Sequence, residues 1–228
     1  MASPFDRLTV DGVTLRGPDI LGWADELAAR HRSGAWASDL RSTLRELTSD
    51  DGVLNTRTSG TTGMPRSLTF SMEDLVASVG VTRDAFGLKE GDRALLCLPC
   101  EFIGGKMMLA RAMLIGLDLH TIDPRGGVLR NLRTDDRFKF ATMVPMQLHT
   151  ALQHDRSRVE EQFETVLLGG GPVSDAMAER LQGLRTRVLL GYGSTEMLTH
   201  VALRALNGGG RSEEYTALGK VSFGVDER

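Results

Sequence analysis

The chain has 228 residues, 41% hydrophobic and 25% charged, with a formal net charge of -3, a composition that suits one large soluble domain or two small ones. The slight acidity and the lack of any Lys/Arg run exclude nucleic acid and a membrane surface as electrostatic partners, and each apolar stretch breaks before the roughly 18 residues that span a bilayer. Asp6 and Asp11 stand where a signal peptide needs an unbroken apolar core, and two cysteines, Cys97 and Cys100, make no disulfide framework, so a cytoplasmic location is expected.

In chain order, residues 18 to 31 read as a helix, with Pro18 in its first turn and Ile20, Leu21, Ala24, Leu27 and Ala28 on one face. Leu40, Leu44 and Leu47 mark a second helix, and residues 1–50 are taken as a helical lead to an α/β core over 51–228. Val53 to Thr58 and Arg66 to Ser71 look extended on either side of a Gly/Ser/Thr stretch. Ser71 and Asp74 predict an acidic capping box for a helix carrying Leu75, Val76, Val79 and Phe86, ended by Gly87. Then strands and helices alternate. Ala94–Leu98, Leu117–Ile122, Phe138–Val144, Thr165–Leu168 and Val188–Leu190 read as strands. Helices are expected over Lys106–Ile115, from Pro145, and over Ser174–Leu181. That alternation predicts a mainly parallel sheet flanked by helices, and Gly208–Gly210 marks a loop.

Thr58-Ser59-Gly60-Thr61-Thr62-Gly63-Met64-Pro65-Arg66-Ser67 carries the most chemical information. Its glycines allow the backbone N–H groups to approach a ligand, its hydroxyls add donors, and Arg66 adds a fixed positive charge, which together make a cradle for phosphate oxygens. A Walker A loop fits less well. Pro65 stands for its second Gly, Arg66 for its Lys, and an extended segment follows where a helix should begin. A polar surface loop is the plain alternative.

This stretch resembles the phosphate-binding signature of the adenylate-forming superfamily, which includes acyl-CoA synthetases, luciferases and peptide-synthetase adenylation domains. The match runs from Thr58 to Pro65 and departs at Arg66, where the superfamily has Lys. Arg keeps the charge without the compact ammonium. Gly191-Tyr192-Gly193-Ser194-Thr195-Glu196 resembles a second superfamily motif. The resemblance implies that Tyr192 packs on adenine, Thr195 contacts the α-phosphate and Glu196 holds Mg²⁺. An aromatic face, a hydroxyl and a hard carboxylate suit those roles, although the segment alone also reads as a strand-to-loop turn. Gly169-Gly170-Gly171-Pro172 is similar to the glycine turn that lies against adenine and the acyl group, and by itself it reads as a strand-to-helix turn. The implied fold is the large N-terminal domain of an adenylate-forming enzyme, ending before the small C-terminal domain with its catalytic Lys. ATP then sits at the C-terminal ends of parallel strands.

The acyl pocket is expected among Phe102, Gly105, Lys106, Gln147 and Gly169. Lys106 and Arg111 could each face a second substrate carboxylate; Lys106 is the first candidate, against an ordinary helix-start charge, and a solvated helix charge is the favoured reading of Arg111. Cys97 and Cys100 lack a second pair for zinc and read as small core residues, with a cysteine-based oxidoreductase as a further alternative. His120, His149, His154 and His200 show no ligand spacing. Within the superfamily the stretches Leu95–Arg111 and Val144–His149 resemble the short o-succinylbenzoate–CoA ligases of menaquinone biosynthesis. The expected activity is AMP-forming activation of a small carboxylic acid with Mg-ATP, then transfer to coenzyme A. Thr195, Glu196 and Arg66 are its catalytic groups, and these residues alone are expected to ligate CoA weakly or not at all. A homo-oligomer is a possible assembly. The alternative is a non-catalytic nucleotide- or acyl-binding module.

Overall fold

The computed structural model describes residues 3–32, 34–50, 52–58 and 66–224. The elements in order are β1 (Arg7–Val10), β2 (Val13–Arg16), α1 (Pro18–Arg30), α2 (Ala35–Leu47), β3 (Leu54–Arg57), β4 (Ser67–Phe70), α3 (Met72–Phe86), β5 (Arg93–Leu96), α4 (Ile103–Arg111), β6 (Asp118–Thr121), β7 (Phe138–Met143), α5 (Pro145–His154), α6 (Arg156–Gln162), β8 (Phe163–Leu168), α7 (Asp175–Arg180), β9 (Arg187–Gly193), β10 (His200–Ala205) and β11 (Thr216–Ala217). Nine strands form one sheet in the order β11-β10-β9-β8-β7-β5-β6-β1-β2. From β9 across to β1 every neighbouring pair is parallel, and antiparallel strands close both ends.

Alternation within the strands divides the core. Leu96, Phe140, Leu167 and Leu189 face the cluster built with α1 to α4, while Leu95, Ala141, Val166 and Val188 face the one built with α5 to α7. Burial on both faces is why these strands read as continuous apolar runs. The capping box forms as expected. Asp74 N–H donates to Ser71 Oγ at 3.2 Å, Ser71 N–H donates to Asp74 Oδ2 at 2.9 Å, and Gly87 ends α3 with φ 61°.

The first fifty residues are not only helical. Their β1–β2 hairpin extends the main sheet, with β1 parallel to β6, and Phe5, Leu8, Ile20, Leu40 and Leu44 share one buried cluster with α3 and α4. At the N-terminal ends of the strands Arg93 ties this hairpin down. It donates to Asp136 at 2.8 Å and to Asp11 at 3.2 Å, and lies 5.1 Å from the Phe138 ring centroid. The helix expected to start at Lys106 starts at Ile103, and a π-helical turn over Ala112–Gly116 ends it, leading to Gly116 at φ 82°.

Candidate nucleotide- and acid-binding site

Because β5, β7, β8 and β9 run parallel, the segments after them leave the sheet at one edge. These are Cys97–Phe102, Val144–Gln147, Gly169–Gly171 and Gly191–Glu196. Such an edge is where open α/β sheets take ligands. The phosphate-loop candidate hangs on a separate two-stranded hairpin, β3–β4. Thr58 N–H donates to Arg66 O at 3.0 Å, and Arg66 N–H donates to Thr58 Oγ1 at 3.0 Å, so the described feet of the loop are locked together. Ser59, Gly60, Thr61, Thr62, Gly63, Met64 and Pro65 lie outside the described residues.

Beyond β9 the chain makes one 3₁₀ turn over Thr195–Met197. Leu198 follows at φ 65°, a conformation that costs a branched side chain roughly 1–2 kcal/mol. Its side chain is buried, and its N–H donates to Thr195 O at 3.0 Å. Thr195 is half-buried and Glu196 is exposed. Hydrogen bonds from its own backbone N–H and from Ser194 hold the Glu196 carboxyl below its usual range, helped by the charge of Arg66. Glu196 is ionised at neutral pH, and this suits a magnesium ion, which takes one or two carboxylates and completes its octahedron with water and phosphate. Among the described residues no cluster of three acidic, His or Cys side chains makes a dedicated metal cage.

Gly191 and Gly193 are required by packing. A Cβ on Gly193 would lie 1.9 Å from Thr199 O, and one on Gly191 would lie 3.0 Å from His200 Cβ, because β10 runs against them. Tyr192, 56% exposed, sits with ring centroids 5.7 Å from Tyr215 and 6.1 Å from Phe223. Sequence reasoning missed these two partners, since neither lies in a motif. Gly170 has φ 76°, while a Cβ on Gly169 would meet nothing within 4 Å, so the glycine turn leaves open space at the strand end.

The two cations expected near the acid pocket, Lys106 and Arg111, sit differently from the sequence reading. At Gly105 a Cβ would lie 2.3 Å from Pro99 O. The glycine is needed for α4 to pack on the preceding turn. Lys106 is 9% exposed, and its ammonium is already engaged, donating to Asn55 O at 2.6 Å with Glu46 Oε2 at 3.8 Å. An incoming carboxylate would meet Glu46 there. Gln147 is a strap: its Nε2 donates to Cys97 O at 2.7 Å, and its Oε1 accepts from Val144 N–H at 3.1 Å. Phe102 does stand exposed at the rim, ahead of α4. Arg111 is not solvated. It is 1% exposed, has no carboxylate partner among the described residues, and donates to Thr199 Oγ1 at 2.8 Å while its Nε–H lacks an acceptor. Burial draws it down to about 10. His200, with Nδ1 2.9 Å from the same hydroxyl, is drawn down to about 3 by burial and then by Arg111. Cys97 and Cys100 are core residues as expected; Cys97 donates to Thr142 O, and burial pushes its thiol up to about 12.

A mainly parallel sheet flanked by helices, with a Tyr-Gly-Ser-Thr-Glu segment at the end of β9, is an α/β architecture that takes ligands at its strand ends. The profile of the AMP-binding enzyme family matches residues 12–226, and the chain belongs to that family. A 2-succinylbenzoate–CoA ligase from Bacillus licheniformis is 30% identical over 158 residues, 68% of this chain and 33% of that protein. The solved structure of an acyl-CoA synthetase (AMP-forming)/AMP-acid ligase II-like protein from Dyadobacter fermentans is 37% identical, covering 84% of this chain and 55% of that one, with TM-score 0.77. The o-succinylbenzoate coenzyme A synthetase of Bacillus subtilis, solved with ATP and magnesium ion, is 25% identical over 67% of this chain and 32% of that one, with TM-score 0.59. The chain thus spans about a third of the length of the curated relative it matches. Among the described residues, no helix is long and apolar enough to cross a membrane.

Proposed function

We propose that this chain is the Mg-ATP- and acid-binding part of an AMP-forming carboxylate–CoA ligase whose substrate is 2-succinylbenzoate or a close aromatic dicarboxylate. The observation that carries the nucleotide reading is that the parallel strands β8 and β9 bring the Gly169–Gly171 turn and the Tyr192–Glu196 segment to the same end of the sheet. A triphosphate bound there would find in Glu196 a carboxylate able to hold Mg²⁺, and in Arg66, at the foot of the loop hairpin, a fixed cation. The hydroxyl of Thr195 faces the α-phosphate, Tyr192 offers its ring to adenine, and Gly169, Gly170 and Gly171 leave room for the base. In the reaction a substrate carboxylate oxygen bonds to the α-phosphorus as the bond to pyrophosphate breaks. Coenzyme A then displaces AMP from the mixed anhydride. Positioning and charge neutralisation supply the first step, and Mg²⁺ held by Glu196 would add to that neutralisation.

Exposed Phe102 and the amide of Gln147 near the strand ends suit a small aromatic acid better than a long acyl chain. The relatives named for 2-succinylbenzoate point the same way. The test is calorimetric titration of 2-succinylbenzoate, benzoate and octanoate in the presence of Mg-ATP. The dicarboxylate should bind tightest. Preference for octanoate would overturn the substrate class.

A further inference from the structure

The hairpin that carries the phosphate loop has an open edge, and side chains close it. Thr58 and Arg66 form a hydrogen-bonded pair, and paired positions alternate along an antiparallel ladder. The register Asn55↔Thr69 is therefore of the other kind, so the backbone N–H and C=O of Asn55 point away from β4. They meet partners from two different helices. Asn55 N–H donates to Glu46 Oε2 of α2 at 2.8 Å, and Lys106 Nζ of α4 donates to Asn55 O at 2.6 Å. Glu46 and Lys106 also stand 3.8 Å apart as an ion pair. Together they do what a neighbouring strand would do, offering one acceptor and one donor to a single residue. The Asn55 side chain is held too, accepting from Thr69 Oγ1 at 2.8 Å.

We infer that Glu46 and Lys106 are positioning residues for the nucleotide phosphates, acting through the hairpin. The joint sits between Leu54, which is fully buried in the core, and Thr58, the first foot of the loop. With Leu54 as the pivot, the Asn55 contacts fix the direction in which the hairpin carries Thr58 and Arg66, the feet of the loop. They also tie the loop to α4, the helix that carries Arg111. The inference rests on the nucleotide reading above, and the joint itself can be read separately.

The experiment compares wild type, Lys106→Met, Glu46→Gln and Lys106→Arg. Calorimetry gives affinities for Mg-ATP and, separately, for 2-succinylbenzoate, and amide exchange is followed at Asn55 and Thr58. Lys106→Met should weaken Mg-ATP about tenfold, within the range for a misplaced positioning group. It should leave the affinity for the acid alone within about twofold and speed exchange at Thr58, with partial rescue in Lys106→Arg. Glu46→Gln keeps an acceptor for Asn55 and should fold even if Lys106→Met does not, with a smaller loss in the same direction. Unchanged Mg-ATP affinity together with unchanged Thr58 exchange in folded variants overturns the inference, as does an equal loss for ATP and acid. If wild type binds no Mg-ATP, the nucleotide reading fails, and unchanged or faster Thr58 exchange then decides against or for the joint.

Discussion

Gly193→Ala tests the geometry of the Tyr-Gly-Ser-Thr-Glu turn. The new methyl would lie 1.9 Å from Thr199 O and 2.7 Å from His200 Cα, where real Cβ atoms stay beyond 3.0 Å. Both obstacles are backbone, so no side chain can rotate away, and β9 must part from β10 by about an ångström at the Gly193↔His200 pair. Overpacking of this kind costs typically about 1–3 kcal/mol and a lost ladder hydrogen bond adds about 1, so we expect a loss near 3 kcal/mol. For a chain of this size that is a fall in Tm of about 6–12 °C. Gly169→Ala is the control, since its methyl meets nothing within 4 Å. It should change stability by less than about 0.5 kcal/mol while weakening ATP, whose base it would crowd. Melting curves of both variants beside wild type make the comparison. Equal melting of Gly193→Ala and wild type would refute the close approach of β10.

Burial favours the neutral form of His200, so the fold binds that proton less readily than the unfolded chain does. Its contribution to stability is complete above pH 6.5 and is lost as pH falls from 6.5 toward about 3. Denaturant titrations between pH 7 and 4 should therefore show a slope of up to about 1.4 kcal/mol per pH unit that His200→Gln reduces. Arg111→Met should melt no lower than wild type, because an unpaired buried charge is replaced by an apolar chain of similar length. A drop of several degrees would mean that the Thr199 contact outweighs the cost of burying the charge.

Much of this fold was legible because each local signal agreed with the global one. The runs Ala94–Leu98 and Thr165–Leu168 read as doubly buried strands, and they are central in the sheet. Ser71, Asp74 and Gly87 announced both ends of α3 through capping chemistry. The β1–β2 hairpin was not legible. Val13 is exposed, Leu15 is only partly buried, and the turn at Asp11-Gly12 is stabilised by Asp118, more than a hundred residues away. The proposed nucleotide motifs stand out in the sequence as patterns of Gly, hydroxyl and charge. The acid pocket does not, because the environment of Lys106 and Arg111 depends on tertiary partners. Lys106 is drawn to Asn55 and Glu46, while Arg111 is turned into the core toward Thr199. Two cations five positions apart on one helix carry no sequence signal for which is occupied.

The central claim is that Mg-ATP binds at the strand ends between Arg66 and Glu196. Calorimetric titration of Mg-ATP into wild type and into Thr195→Val/Glu196→Ala tests it most directly. The account predicts a single saturable site in wild type and a loss of about tenfold or more in the double variant, since the proposal sets both removed groups against phosphate or its metal. Equal affinity in the two proteins would contradict it.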